Sequence, residues 1–196
     1  MMKKIKKILP VVLAVTLVSQ MAFPQEFSKS SLKTAVGIGI NEGKDEIGVG
    51  ALILIGYQKT LWKDRLRLTP NITSGNFIPF GITDTRDQYY RITSLGFNGY
   101  LDALKYKAVS LFIGTGVFMN FSRGLLGTGG WPEEGNTTSE YFLNYYYGGY
   151  LGAGIRIEPK GRRISYELTP INFQFGNDYF FTTYFKFGID IKFSSK

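Results

Sequence analysis

Long segments in which apolar and polar side chains alternate constrain this chain more than any other feature. In residues 182–193, Phe185 and Ile189 fall on one face of an extended strand, whereas Lys186 and Asp190 fall on the other. After residue 30 no segment shows a helical period of 3.6 residues. The alternation therefore predicts an all-β protein. It predicts eight strands, at about residues 33–41, 47–60, 64–74, 89–102, 107–122, 140–158, 163–175 and 180–193.

The length of these strands indicates a membrane. Several exceed ten residues, which is long for a soluble sheet and matches the ~9–11 residues that a tilted strand needs to cross a bilayer. Lipid offers the backbone no hydrogen-bond partner, so every strand must pair on both sides and the sheet must close. The predicted fold is a closed eight-stranded antiparallel up-and-down transmembrane barrel after an N-terminal signal peptide.

The first residues have the composition of a secretory signal. MMKKIKK is a charged region, and ILPVVLAVTLV is an apolar region too short to span a bilayer. We predict a signal peptide over residues 1–24 with an approximate cleavage site, a short N-terminal lead over residues 25–32, and the barrel domain over residues 33–196. Four of the lysines behind the formal net charge of +8 lie in the leader, so the remaining charge indicates no nucleic-acid partner.

The connectors between the predicted strands differ between the two ends of the barrel. One end carries two long loops, residues 75–88 and 124–140, and the other end carries only short turns. This asymmetry is typical of barrels in the bacterial outer membrane, where the long loops lie outside the cell. We expect outer-membrane lipid around the barrel and an extracellular or envelope partner at these loops. Leu125, Leu126 and Trp131 are the expected surface contacts.

Aromatic side chains collect near the predicted strand ends, as expected for girdles at the two membrane interfaces. Tyr57, Trp62 and Tyr106 mark the turn end. The loop end is marked by Tyr89, Tyr90, Phe121, Tyr141, Phe142, Phe180 and Phe181.

The face of each predicted strand opposite to the apolar face consists largely of glycines and charged side chains. An eight-stranded barrel has room inside for side chains but not for an open channel, and unpaired charges in such an interior are costly. We therefore predict a buried charge network that plugs the lumen. Its predicted members are Arg67, Arg156, Glu167, Lys186 and Asp190.

Several kinds of chemistry are excluded by composition. The chain has no Cys, which rules out disulfides and thiol nucleophiles, and no His, which rules out His-based triads. Its G-x-G pairs are followed by neither a helix nor a Lys-Ser/Thr pair, so they are not phosphate-binding loops. We predict no catalytic residue, cofactor or metal site, and no enzyme activity.

On these features, residues 33–193 resemble the small eight-stranded outer-membrane barrels of the OmpA/OmpX type. The resemblance implies a structural or surface-contact role, such as adhesion or interaction with a host or the envelope. It also implies recognition by the barrel-assembly machinery through an aromatic residue at the C-terminus. The matching residue is Phe193, although Ser194, Ser195 and Lys196 follow it.

The alternative is a soluble lipocalin-like periplasmic barrel that binds a hydrophobic ligand inside. It requires apolar residues on the inward face of the strands, and Leu52, Leu54, Phe112 and Phe118 occupy inward positions. The glycines and charges on the same face favour the membrane barrel.

Overall fold

The eight predicted strands form one closed antiparallel barrel in the computed structural model, which describes residues 27–62, 64–80, 89–129 and 138–194. Each strand pairs with the next, and the last pairs with the first, so the predicted fold is confirmed. The strands are β1 (Phe27–Glu42), β2 (Ile47–Leu61), β3 (Leu66–Pro79), β4 (Tyr90–Tyr106), β5 (Val109–Gly129), β6 (Thr138–Ile157), β7 (Ile164–Gly176) and β8 (Phe181–Ser194).

None of the described segments forms an apolar helix of membrane-spanning length. The predicted signal peptide, residues 1–24, lies outside the described residues.

The first strand starts earlier than the sequence indicates. Residues 27–32, which we assigned to a lead before the barrel, belong to β1, where Ser31 pairs with Gln58 of β2 and with Lys192 of β8. The sequence FSKSS has too few apolar residues for alternation to be visible. The two neighbouring strands supply the hydrogen bonds that make this polar segment a strand.

Three strands also continue into the predicted long loops. β3 ends at Pro79, and β5 and β6 remain paired as far as Gly129 and Thr138. The predicted loops 75–88 and 124–140 are therefore shorter than expected, because a paired neighbour keeps glycine-rich backbone extended. Residues 81–88 and 130–137 of these loops lie outside the described residues.

The outward face of the barrel is apolar along its height. Ile38, Ile53 and Val117 are 66%, 58% and 62% exposed. The same face also carries Val36, Ile55, Ile72, Leu95, Phe97, Leu111, Ile113, Met119, Leu151, Ile171, Phe185 and Phe187. Soluble monomers rarely expose apolar patches larger than a few hundred Å², whereas lipid satisfies such a surface. This exterior is that of a membrane-spanning barrel.

The inward side chains change in character along the barrel. Near the turn end the interior is charged, and near the loop end it is aromatic. The two aromatic clusters at the loop end comprise Phe77, Tyr90, Ile92 and Phe142, and Phe118, Tyr146 and Phe180. Three residues that we expected in the outer girdle, Tyr90, Phe142 and Phe180, are thus inside. Neighbouring residues of a strand point to opposite faces, so of Tyr89 and Tyr90 only the first is exposed.

Candidate functional site: the charged interior and the loop-end surface

Glu167 of β7 is the centre of a buried ion cluster. Its Oε1 accepts a hydrogen bond from Lys33 Nζ at 2.7 Å, and its Oε2 accepts one from Arg67 Nη1 at 2.7 Å. Arg67 also donates through Nη2 to Asp102 Oδ1 at 2.9 Å. All four side chains are at most 1% exposed. Each charge therefore has the partner that a charge needs in a water-poor interior.

A second ion pair is joined to this cluster through an amide. Arg156 Nη1 donates to Asp190 Oδ2 at 2.6 Å. Gln58 donates to the same carboxylate at 3.2 Å and accepts from Arg67 Nη1 at 3.3 Å. Four of the five predicted network residues are thus brought into one hydrogen-bonded network: Arg67, Arg156, Glu167 and Asp190.

The fifth predicted residue, Lys186, has a different environment. It is 1% exposed, yet its Nζ makes no hydrogen bond with any described residue. The Nζ atom lies 5.8 Å from the ring centroid of Tyr100 and 5.7 Å from that of Tyr150. Ring faces attract cations, so aromatic rings contact this lysine in place of a carboxylate.

Sequence reasoning missed Lys33, Gln58 and Asp102. A signal for Lys33 existed, because within the predicted strand 33–41 it lies on the face opposite to the apolar Val36 and Ile38. Asp102 is the last residue of the predicted strand 89–102, next to a predicted turn, but β4 continues to Tyr106 and points Asp102 inward. Aspartate is common in turns, and this preference outweighed the parity in our interpretation.

Glu158 extends the ion network from Arg156 to the turn end of the barrel. Its carboxylate lies 2.5 Å from Lys192 Nζ, 3.5 Å from Arg156 Nε and 3.9 Å from Lys105 Nζ. Burial alone would raise the pKa of Glu158. The charges of Arg156, Lys192 and Lys105 outweigh burial and hold the pKa below its ordinary value.

At the loop end, the connector between β1 and β2 folds against the barrel mouth. Asn144 Nδ2 donates to Asp45 Oδ2 and to Glu46 Oε2, both at 3.0 Å, and the Tyr146 hydroxyl donates to Glu46 Oε2 at 3.1 Å. Burial raises the pKa of Glu46 above its ordinary value, although hydrogen bonds from Ser122, Asn144 and Tyr146 oppose the rise. Within the described ranges, no group of three or more acidic side chains is placed to hold a metal ion.

The predicted surface contacts are placed differently from one another. Leu125 is 39% exposed but lies in β5, paired with Tyr141, and not in a loop. The backbone of Leu126 is also in β5, while its side chain and the whole of Trp131 lie outside the described residues. Phe193 is 39% exposed near the end of β8, and its ring stacks on Tyr57 at 6.2 Å.

The closed ring of eight antiparallel strands, apolar outside and ion-paired inside, defines the class of small transmembrane barrels found in bacterial outer membranes. Solved structures confirm this fold. The chain is similar to Neisserial surface protein A (NspA), with 11% identity, 86% of this chain and 100% of that chain covered, and a TM-score of 0.57.

Two further outer-membrane structures are also similar. Ail, the attachment invasion locus protein of Yersinia pestis, is 12% identical, with 86% and 100% of the two chains covered and a TM-score of 0.54. A major outer membrane protein from Thermus thermophilus is 12% identical, with 84% and 99% covered and a TM-score of 0.50. The predicted location in the bacterial outer membrane agrees with these neighbours. No family model matches the chain, and no curated protein matches its sequence.

Proposed function

We propose that this protein is an outer-membrane β-barrel with a structural or surface-contact role, in adhesion or in interaction with a host or the envelope. The proposal rests on the distribution of charged and apolar side chains, which is the reverse of that in a soluble protein. Fully buried ions lie inside, around Glu167, while residues such as Ile38 and Val117 are more than half exposed outside. Only a lipid environment makes that arrangement stable.

Contact with a partner is assigned to the loop end. Ail is named for attachment and invasion, and NspA is named as a surface protein. Their shared fold supports a role at the cell surface. The partner would meet the segments 75–88 and 124–140, where Leu125, Leu126 and Trp131 were predicted as contacts.

The lumen is proposed to be closed by side chains and not to form a wide pore. The support is that the ion pairs of Glu167 cross the interior and that aromatic clusters occupy the loop-end half. A catalytic role is not proposed, because a chain without His or Cys lacks the side chains on which most nucleophilic and acid–base sites depend.

The lipocalin-like alternative is not supported. Leu52, Leu54, Phe112 and Phe118 do point inward, as it requires. However, the interior cavity beside Leu52, lined also by Phe77 and Tyr184, measures about 10 Å³. This volume holds about one water molecule and no hydrophobic ligand.

The proposal is tested by expressing the full chain and fractionating the envelope. We expect the protein in outer-membrane fractions, resistant to salt and carbonate washes, and migrating faster on SDS gels before boiling than after. A freely soluble protein without this shift would refute membrane insertion. Deletion of residues 81–88 or 130–137, outside the described strands, should then reduce adhesion while the gel shift persists; unchanged adhesion would count against the loop contact.

A further inference from the structure

Two arginines lie directly opposite each other on the outside of the barrel near its loop end. Arg91 of β4 and Arg123 of β5 are cross-strand partners, and both side chains are exposed. Cross-strand neighbours have Cβ atoms about 4.5–5.5 Å apart, so like charges at such positions repel and destabilise the pair. At the edge of a membrane the dielectric constant is lower than in bulk water, which makes this repulsion stronger.

Nothing in the described part of the chain neutralises this pair. Arg91 Nε donates to Asn76 Oδ1 at 3.2 Å, a neutral acceptor, and the β6 partner of Arg123 is Leu143. Among the described residues, neither guanidinium makes a salt bridge. An anion placed between the two guanidinium groups would replace repulsion by two charge-assisted contacts.

The surroundings place the two arginines at the depth of lipid headgroups. Together with Tyr89, Tyr141 and Leu125 they line a depression of about 620 Å³. The two tyrosines are 61% and 60% exposed. Exposed tyrosines of a membrane protein concentrate at the interface between hydrocarbon and water, which is also the depth of the phosphate groups of lipids.

An apolar strip continues from the arginines along the same two strands towards the bilayer centre. The pair Thr93 and Phe121 comes first, and the apolar pairs Leu95–Met119 and Phe97–Val117 follow on the outward face. All four side chains of the last two pairs are about half exposed or more. A bound anion that carries acyl chains can lay them on this strip, whereas a free phosphate gains nothing from it.

We propose that Arg91 and Arg123 bind the phosphate group of an anionic lipid in the leaflet at the loop end of the barrel. The guanidinium forks hold the phosphate oxygens, Tyr89 and Tyr141 flank the headgroup, and the apolar strip holds the acyl chains. This site specifies the lipid partner of the proposed outer-membrane protein and rests on its insertion in the membrane.

The test uses the full chain, refolded in neutral detergent micelles, with lipid bound per barrel counted by native mass spectrometry. The probes are diphosphorylated lipid A and the same lipid after removal of its phosphates. We expect Arg91→Gln/Arg123→Gln to bind the phosphorylated lipid at least about tenfold more weakly than the unchanged protein. The control Lys59→Gln/Arg65→Gln removes the same charge from exposed side chains at the turn end and should bind as the unchanged protein does.

The single variant Arg123→Glu separates lipid binding from stability. It places a carboxylate opposite Arg91, so it should raise the unfolding temperature in neutral micelles while lowering the affinity for phosphorylated lipid. Equal affinity of the unchanged protein and both loop-end variants would overturn the site, as would equal binding of the dephosphorylated lipid. A faster-migrating band before boiling shows separately that each variant forms a barrel, so loss of the site is distinguished from failure of membrane insertion.

Discussion

Arg67 and Glu167 reach across the lumen from opposite walls and meet at 2.7 Å, with both side chains 1% exposed. Arg67 belongs to β3 and Glu167 to β7, which are opposite each other in a closed ring of eight strands. Lys33 of β1 joins the same carboxylate from a third direction. A single glutamate therefore links three parts of the barrel wall and should contribute to stability more than a surface ion pair does.

Replacing Glu167 by Gln should lower the free energy of unfolding by about 3 kcal/mol or more, because it leaves Lys33 and Arg67 buried without their shared anion. Conductance in planar bilayers should stay at the level of the unchanged protein, since a side chain of equal size still occupies the lumen. Unfolding in urea with lipid vesicles measures the first effect. Glu42→Gln, an exposed position on β1, is the control and should change little. A clear rise in conductance would identify Glu167 as part of a gate.

Replacing Lys186 by Met should stabilise the barrel by about 1 kcal/mol or more. Among the described residues, the charged side chains that are at most 1% exposed are four bases, Lys33, Arg67, Arg156 and Lys186, and three acids, Asp102, Glu167 and Asp190. Lys186 has no hydrogen-bond partner among the described residues. A protein with an apolar side chain of similar length at such a position is often more stable than one with a poorly paired buried charge.

Lys33→Met is the matched control for Lys186→Met. It removes the ammonium group that lies 2.7 Å from Glu167, so it should destabilise. The same urea titration compares both variants. Equal destabilisation by the two would show that Lys186 has a carboxylate or water partner comparable to that of Lys33.

Glu46 should make the barrel less stable as the pH rises from about 4.5 to neutrality. Its folded-state pKa is raised by burial above the ordinary value of 4.5, so the native state binds more protons than the unfolded state in the window just above that value. Glu46→Gln should remove this dependence and raise the unfolding temperature at pH 7. Thermal unfolding at several pH values measures both effects, and an unchanged profile in the variant would contradict the assignment.

Glu158 should have the opposite pH dependence. Neighbouring cations hold its folded-state pKa below the ordinary value of 4.5. Its contribution to stability is therefore complete above 4.5 and is lost as the pH falls through the folded-state pKa. Acid unfolding of Glu158→Gln should show a shallower loss of stability below pH 4.5 than the unchanged protein. An identical acid limb in the two proteins would show that the cations do not shift this pKa.

Gly114→Val should destabilise the barrel by about 1–3 kcal/mol, because a β-carbon at Gly114 would lie 2.5 Å from Cδ1 of Tyr100. Tyr100 would have to leave its edge-to-face contact with Phe112 and its position beside Lys33. Gly99→Ala is the control, since its β-carbon would meet nothing closer than 3.7 Å. Refolding yield and urea unfolding compare the two; equal stability of both variants would mean that Tyr100 moves without cost.

The alternation of apolar and polar residues within each strand predicts most of the fold. A period of two residues assigns each side chain to a face as soon as the strand is recognised, so the alternation alone places Arg67, Arg156, Glu167 and Asp190 inside, where they are found. The same rule was available for Lys33 and Asp102, but they are the first residue of the predicted strand 33–41 and the last of the predicted strand 89–102, and the structure extends both strands beyond them. Strand ends depend on whether a neighbouring strand supplies hydrogen bonds, and a single segment does not contain that information.

The sequence by itself determined the strand count, the need for closure and the division between an apolar exterior and a polar interior, because each follows from residues close together in the chain. Only the tertiary structure decided which charges pair. Arg67 and Glu167 are 100 residues apart. Lys186 lies beside tyrosine rings, although the carboxylates of Glu167 and Asp190 also point into the lumen. Which inward side chains reach the same height depends on strand tilt and on the register accumulated around the ring, and these are properties of the closed barrel as a whole.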